Sequence, residues 1–123
     1  MAETERINID DPEVDMDLEQ RLLYRGQPFT GEVEEYLGSA RVSLESYVDG
    51  LPDGPSWEWY KDGTLESEVT VRKGRAVGVA KRWHQNGVLA SERTFSEDNG
   101  ALLSIREWDE NGQPTKSWRK GEN

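Results

Sequence analysis

The chain has 123 residues, a formal net charge of −10, and charged side chains at 33% of its positions. It contains no cysteine, which excludes a disulfide framework and thiol chemistry. No apolar run is long enough to span a membrane and no basic-then-apolar leader opens the chain, so a single cytoplasmic domain is expected.

The acidity is concentrated near the N-terminus. Residues 1–36 hold eleven acidic and three basic residues, a net charge of −8. Residues 37–123 hold fourteen acidic and twelve basic residues, a net charge of −2. This distribution disfavours direct nucleic-acid binding, which requires a basic surface. It favours a basic protein partner, because complementary charge speeds encounter and discriminates against wrong partners.

The first elements in chain order depart from the pattern of the rest. Residues 7–10 predict a short strand, and the acidic stretch 11–17, which contains Pro12, predicts a loop or a tail. Residues 20–24 predict a strand that pairs with the first hairpin of the following repeats. Together they would cap the open end of a sheet.

From Gly50 onward the sequence repeats every 24 residues. The matching pairs are Gly50 and Gly74, Gly54 and Gly78, Trp59 and Trp83, Gly63 and Gly87, Leu65 and Leu89, and Val71 and Phe95. A weaker unit precedes them, with Gly26, Gly31, Tyr36 and Tyr47. A decayed unit follows with a one-residue slip and no second glycine; it keeps Gly100, Trp108, Gly112 and Trp118. A fixed period of this length is typical of repeat architectures, which more often bind than catalyse.

Each unit predicts a β-hairpin. The hairpin tips would be type I′ turns at Asp62-Gly63, Asn86-Gly87 and Asn111-Gly112, because these dipeptides tolerate positive φ angles. Return turns between hairpins are expected at Asp49-Gly50, Asp53-Gly54, Lys73-Gly74 and Asn99-Gly100.

The expected fold is all-β. It is an elongated antiparallel β-meander of about four hairpin repeats in a single-layer sheet, with an acidic N-terminal cap or tail. We expect residues 1–20 to form that acidic segment, partly flexible or capping, and residues 21–123 to form the repeat domain. One aromatic residue per unit would stack along the sheet: Tyr36, Trp59, Trp83 and Trp108.

The repeat unit resembles the variant MORN repeat (type 2). Its pattern of two glycines, an aromatic, a third glycine, a leucine and a hydrophobic residue stands here as Gly54, Trp59, Gly63, Leu65 and Val71, and as Gly78, Trp83, Gly87, Leu89 and Phe95. Over residues 9–120 the chain is similar to the YwqK-like family of bacterial repeat proteins known as antitoxins of toxin–antitoxin systems. The segments 9–14 and 22–33 look like those of actinobacterial members. The resemblance implies a small cytoplasmic antitoxin or immunity protein that neutralises a toxin by stoichiometric binding and occlusion.

The sequence contains no recognisable catalytic constellation. The one histidine, His84, follows Trp83 and is expected to be an exposed residue beside a turn. Without cysteines it forms no zinc site unless several carboxylates converge on it. The serines have no general base at a recognisable spacing. We therefore expect a protein that is not an enzyme, with no catalytic residue, no metal and no cofactor.

Acidic residues near the N-terminus are the first candidate for partner binding. They are Asp10, Asp11, Glu13, Asp15 and Asp17, extended by Glu32, Glu34 and Glu35. One interpretation is a calcium site, although the glycine and the distal glutamate of an EF-hand are missing. Another is a solvated tail. The third is a docking strip for a basic toxin, which would imitate nucleic-acid phosphates if that toxin is a nuclease.

Two aromatic residues are the second candidate. Trp57 replaces the charged residue of the other units and either fills a gap beside Trp59 or anchors an interface. Tyr60 is unusual in the same way, since His84 and Asp109 occupy its position in later units.

Two other functions remain open at this point. The chain could be a MORN-repeat scaffold or a membrane-associated interaction module without a toxin partner, although its acidity disfavours anionic membranes. An enzyme that uses paired acids would instead require a closed, carboxylate-lined pocket. Open sheet edges also make a homodimer plausible.

Overall fold

A computed structural model describes residues 5–121, and all regular structure in this part of the chain is β-strand. The described residues form twelve strands: β1 Arg6–Asn8, β2 Val14–Met16, β3 Leu22–Tyr24, β4 Gln27–Pro28, β5 Gly31–Leu37, β6 Ala40–Val48, β7 Leu51–Trp59, β8 Leu65–Arg72, β9 Arg75–Trp83, β10 Leu89–Phe95, β11 Leu102–Trp108 and β12 Pro114–Arg119. The described residues include no helix that is long and apolar enough to cross a membrane.

Nine strands form one sheet in the order β1-β5-β6-β7-β8-β9-β10-β11-β12. From β5 onward each strand pairs antiparallel with the next one in the chain, whereas β1 pairs in parallel with β5. The strands β2, β3 and β4 form a second, three-stranded sheet. The prediction of an all-β antiparallel meander built from hairpin repeats is therefore confirmed.

The turns at the hairpin tips differ from the predicted type I′ turns. In the β7–β8 turn, Tyr60 N–H donates to the Thr64 carbonyl at 2.8 Å, and Gly63 N–H donates to the Tyr60 carbonyl at 2.9 Å. Gly63 has a φ of 94°, but Asp62 is not in the left-handed region. This is a three-residue loop made of a type I turn followed by a left-handed glycine. Asp62 instead uses its Oδ1 to accept Thr64 N–H at 2.9 Å.

The type I′ geometry occurs at the opposite ends of the hairpins. Asp49 and Gly50 have φ angles of 51° and 83°, and Lys73 and Gly74 have 50° and 84°. Both central residues are therefore left-handed, as a type I′ turn requires. Of the four predicted return turns, these two are confirmed in full.

The predicted return turn at Asp53-Gly54 is wrong, because Gly54 lies inside β7. Its equivalent, Gly78, lies inside β9 with a φ of 71°. Near Gly78, Glu68 pairs with Lys81, and the next pair is Thr70 with Val77. Between these two pairs the chain advances by two residues along β8 and by four residues along β9. The second glycine of the unit thus forms a bulge that bends the strand.

The main hydrophobic core lies between the two sheets, at the N-terminal end of the meander. Ile7 and Val33 from the large sheet pack with Leu22 and Phe29 from the small-sheet segment, and all four are buried. Beyond this end the large sheet continues as a single layer. The small sheet therefore forms the cap over the first hairpin.

Two predictions about the N-terminal segment are corrected. The stretch 11–17 contains strand β2, which pairs with β3, so it is part of the cap and not a tail. The predicted strand at residues 20–24 pairs with β2 and β4 and not with the first hairpin. This arrangement buries the apolar side chain of Leu22 against the large sheet. Pairing of β3 with the edge of the first hairpin would leave that side chain in water, which is less favourable. The boundary at residue 20 stays a prediction; β1 pairs with β5 across it.

Gly50 ties the small sheet to the large one. Leu22 N–H donates to its carbonyl and Gly50 N–H donates to the Phe29 carbonyl, each at 2.8 Å. A Cβ at this position would lie 2.9 Å from both the Arg21 Cβ and the Leu22 carbonyl oxygen. The close approach of two backbones therefore requires glycine here, in addition to the φ of 83°.

The predicted stacking of one aromatic ring per unit is wrong. Within residues 5–121, the rings in contact are those of Tyr24 and Phe29, with centroids 5.9 Å apart. The Arg41 guanidinium instead covers the Trp59 ring at 4.9 Å, and Arg106 covers Trp108 at 5.3 Å. A guanidinium is attracted to the face of an aromatic ring and can keep its charge hydrated at the same time. Stacking of two rings across an exposed sheet provides no such attraction.

Candidate interaction surfaces

Five of the predicted acidic residues lie at one end of the first hairpin, with Glu34 and Glu35 on opposite faces of β5. Ile9 N–H donates to the Glu34 carbonyl at 2.9 Å, so the chain leaves the large sheet beside the last residues of β5. The loop that follows carries Asp10, Asp11 and Glu13, and the end of β5 carries Glu34 and Glu35. We call Asp10, Asp11, Glu13, Glu34 and Glu35 the acidic end.

Some carboxylates of the acidic end have structural roles. Asp11 Oδ1 accepts Glu13 N–H at 2.8 Å and closes the loop. Glu34 Oε2 accepts the Tyr36 hydroxyl at 3.3 Å and lies 3.5 Å from an Arg41 guanidinium nitrogen. These two side chains shape the surface.

The other three carboxylates are unused. In the part of the chain that the structure describes, the side chains of Asp10, Glu13 and Glu35 make no hydrogen bond or ion pair. All three residues are exposed. They present negative charge that a partner can neutralise without breaking an internal bond.

The remaining predicted acids lie elsewhere. Asp17 lies in the turn before β3. Because β3 bonds to Gly50, this turn lies at the end of the hairpin opposite the acidic end. Its Oδ2 pairs with Arg21 Nε at 2.9 Å, and hydrogen bonds from the backbone N–H and side chain of Arg21 lower the pKa of Asp17.

Glu32 Oε1 pairs with Arg6 at 2.8 Å. Asp15 lies on β2, where its Oδ1 accepts Met16 N–H at 2.8 Å. The predicted strip is therefore divided, and Asp17 and Glu32 serve the fold.

Large apolar side chains are exposed near these acids. Leu37 is 52% exposed and Tyr36 is also exposed, both beside Glu35 at the end of β5. Met16, 55% exposed, and Leu18, fully exposed, flank Asp17 at the opposite end of the hairpin and do not belong to the acidic end. Exposed apolar side chains among unpaired charges are typical of protein-binding surfaces.

Trp57 lies on the large sheet, directly opposite Leu44 on one side and Glu68 on the other. Leu44 is buried and Trp57 is half-buried. On the same face, Glu34 is the next neighbour of Leu44. Trp57 and Leu44 therefore lie side by side on one face of the sheet, and both interpretations of Trp57, gap filling beside Trp59 and interface anchor, stay predictions.

Tyr60 and His84 link each hairpin to the next one. The Tyr60 hydroxyl donates to the Trp83 carbonyl at 2.7 Å, and His84 Nε2 lies 2.8 Å from the Trp108 carbonyl. A carbonyl can only accept, so Nε2 carries a proton in this contact. The expectation that His84 is an exposed turn residue is wrong, because it is half-buried in this bond. The 24-residue alignment of Tyr60 with His84 was the signal for this shared role.

Sequence reasoning missed an open groove across β9, β10 and β11. It has a volume of about 350 Å³ and is lined by Tyr60, Trp83, His84, Arg93, Glu107 and Trp108, among others. Its carboxylate, Glu107, lies 3.7 Å from the Arg93 guanidinium. Because the His84 Nε2 proton is donated to a carbonyl, the groove presents aromatic and arginine surface and no nucleophile paired with a base.

Glu45 and Tyr47 form a polar pair beside the main core. The Tyr47 hydroxyl donates to Glu45 Oε2 at 3.4 Å. Burial and the neighbouring Glu45 carboxylate raise the pKa of Tyr47 to about 12. Burial also raises the pKa of Glu45, since the charged form loses hydration. Among residues 5–121, no three acidic or histidine side chains converge closely enough to hold a metal ion.

Comparison with known proteins gives one finding. The family model described as MORN repeat variant matches residues 76–97, which form β9, the Asn86-Gly87 turn and β10. No curated protein matches the chain, and no solved structure matches it. Residues 76–97 therefore form a MORN repeat, a type of repeat module.

Proposed function

We propose that this protein is an antitoxin- or immunity-type binding protein that neutralises a cognate bacterial toxin by covering its active surface in a stoichiometric complex. The observation that carries the proposal is the acidic end. There the unpaired carboxylates of Asp10, Glu13 and Glu35 lie at the same end of the first hairpin as the exposed residues Tyr36 and Leu37. The similarity to YwqK-like antitoxins points to the same function.

The chemistry of the surface defines the partner. A protein that docks here has a basic surface with an apolar centre, because the charges steer the encounter and the apolar side chains supply the buried contact. A nuclease fits this description, since its nucleic-acid groove is basic and the carboxylates imitate phosphates.

The test is capture from the host organism with the full chain as bait, followed by mass spectrometry. The proposal requires recovery of a basic protein that is toxic when expressed alone and tolerated when it is co-expressed with this chain. If the captured proteins are not toxic, or if co-expression gives no protection, the proposal is contradicted.

A second function is favoured by the MORN repeat match itself. A repeat scaffold without a toxin partner would join several proteins along its sheet, or lie on a membrane surface. Capture of several proteins that assemble together would favour the first form. Co-sedimentation with neutral or anionic lipid vesicles would favour the second.

A further inference from the structure

Among the described strands, none pairs with the outer side of the last strand of the meander. All six residues of β12 are exposed, and Trp118 is 43% exposed. β12 pairs with β11 on its inner side, and no described strand covers the outer side. A sheet edge of this kind is a template for another strand.

The other end strands are only two or three residues long, and local bonds or a proline interrupt them. The Asn8 carbonyl, at the end of β1, accepts Asp11 N–H at 2.9 Å, and Asn8 Oδ1 accepts Asp10 N–H at 2.8 Å. On β2, Met16 N–H donates to Asp15 Oδ1. β4 is two residues long and contains Pro28. Among the described strands, β12 is therefore the end strand suited to pairing.

The pairing of β11 with β12 fixes which backbone groups face outward. Ser104 and Arg119 lie opposite each other in the pairing of β11 with β12. The residues next to them, Leu103 and Lys120, are joined by a hydrogen bond in which Lys120 N–H donates to the Leu103 carbonyl at 2.8 Å. The backbone N–H and C=O of Arg119 therefore point away from β11. Since backbone groups alternate along a strand, the N–H and C=O of Ser117 also point away from β11. They bond to no described residue.

We propose that two copies of this chain form a symmetric dimer by antiparallel pairing of β12 with β12, about a two-fold axis at Ser117. In this register Ser117 lies opposite its own equivalent. Lys116 of each copy lies opposite Trp118 of the other, where a cation and an aromatic ring attract each other. The two sheets would join into one continuous sheet of eighteen strands, twice the nine of one copy.

Charge disfavours the alternative register centred on Arg119. Moving the axis to Arg119 would place two guanidinium groups directly opposite each other, which is unfavourable. With the axis at Ser117, no like charges are directly opposite. Lys116 also has a carboxylate neighbour within its own copy, since Glu107 is its partner on β11.

Charge also favours this end of the molecule over the other. Residues 1–36 carry a net charge of −8, and they form β1 to β4 and most of β5, at the far end of the sheet. Pairing through β12 keeps the acidic ends of the two copies apart. Pairing through β1 would bring them together and would be opposed by repulsion.

Cysteine cross-linking tests the register. The chain has no cysteine, so Ser117→Cys introduces the only thiol. Directly paired residues have Cα atoms about 5.5 Å apart, within reach of a disulfide. The control is Lys116→Cys, whose equivalent in the second copy lies two residues along the strand, roughly 8 Å away and out of reach.

We expect Ser117→Cys to form a covalent dimer under mild oxidation at least about tenfold faster than Lys116→Cys, as only the first satisfies disulfide geometry. Equal rates for the two variants, or no dimer from either, would overturn the proposal. Circular dichroism of each reduced variant shows whether it has kept its fold.

Sedimentation equilibrium of the unmodified chain gives an independent measurement. We expect a monomer–dimer equilibrium that Ser117→Pro abolishes, because proline removes the N–H that the axis requires. Added salt should leave the dimer unchanged or strengthen it, because salt screens the repulsion between two acidic copies. Toxin binding at the acidic end should instead become weaker as the salt concentration rises. A chain that stays monomeric at about 100 μM would refute the dimer and leave the proposed function untouched.

Discussion

At the residue scale, the side chains that best explain the fold are those that bond between neighbouring units. Tyr60 and His84 each reach a main-chain carbonyl of the next hairpin, at 2.7 and 2.8 Å. Their different chemistry hides a common role, since a phenol and an imidazole both supply one donor at the same place. Single side chains thus hold the stack of hairpins in register along the turn side of the sheet.

Removing the Tyr60 hydroxyl should weaken this stack. We expect Tyr60→Phe to lower the free energy of unfolding by about 0.5–1.5 kcal/mol, the net value of a hydrogen bond. The control is Tyr36→Phe, because the exposed Tyr36 hydroxyl makes only a 3.3 Å contact with Glu34. Urea denaturation compares the two variants, and equal stabilities would show that the Tyr60 bond contributes nothing.

Glu45 should make stability depend on pH. Burial raises its pKa in the folded state above the ordinary value of 4.5, so the folded chain resists its ionisation. Below pH 4.5 the Glu45 carboxyl is protonated and does not destabilise the folded state. The free energy of unfolding then decreases as the pH rises through the folded-state pKa of Glu45.

The test is Glu45→Gln, which keeps an acceptor for Tyr47 and cannot ionise. We expect a higher urea midpoint than that of the unmodified chain at pH 7, and no advantage at pH 4. Glu68→Gln, on an exposed position of β8, is the control for loss of a negative charge. An advantage of Glu45→Gln that persists at pH 4 would contradict burial as the cause.

At the element scale, the small sheet matters most, because the main core lies beneath it. Leu22 on β3 is 1% exposed and packs with Ile7, Phe29 and Val33. The strands β2 to β4 are two or three residues long, and so short a sheet depends on its packing against the first hairpin. The cap and the hairpin should therefore lose stability together.

Truncation of Leu22 tests this dependence. We expect Leu22→Ala to lower the free energy of unfolding by about 2–5 kcal/mol, the usual cost of a cavity in a core. Hydrogen exchange should increase throughout β2, β3 and β4. Leu37→Ala, at a position 52% exposed, should change stability little. A cap that stays protected in Leu22→Ala would show that other contacts hold it.

At the scale of the whole molecule, the periodic part of the fold could be predicted, and so could the strands near residues 7–10 and 20–24, whereas the pairing of the N-terminal strands could not. The 24-residue spacing of Gly63 and Gly87 determines where the hairpins turn, because each of these positions requires a left-handed residue. The turn type was wrong because Asp62 Oδ1 can accept the backbone N–H of Thr64, two residues on, in a turn that needs no positive φ at Asp62. The cap depends on the burial of Leu22 between two sheets, a contact between distant segments that no local pattern encodes.

The candidate site shows the same division. The sequence identified the acidic residues, but their distribution between a binding role and a structural role depends on neighbours that only the fold supplies. Asp17 lies four residues before Arg21, and the turn between them brings both into contact. Asp10 and Glu35 are distant in sequence, and the parallel pairing of β1 with β5 places them at the same end.

The most direct test of a binding function at the acidic end is a comparison of two charge-reversed baits in capture from the host. Asp10, Glu13 and Glu35 are replaced by lysine in one bait, and Glu97, Asp98 and Glu110, in exposed turns of the later units, in the other. The two variants have the same net charge. We predict that only the first loses its partner, with recovery reduced at least about tenfold. Equal recovery with both baits would contradict the account, because binding would then depend on total charge or on another surface.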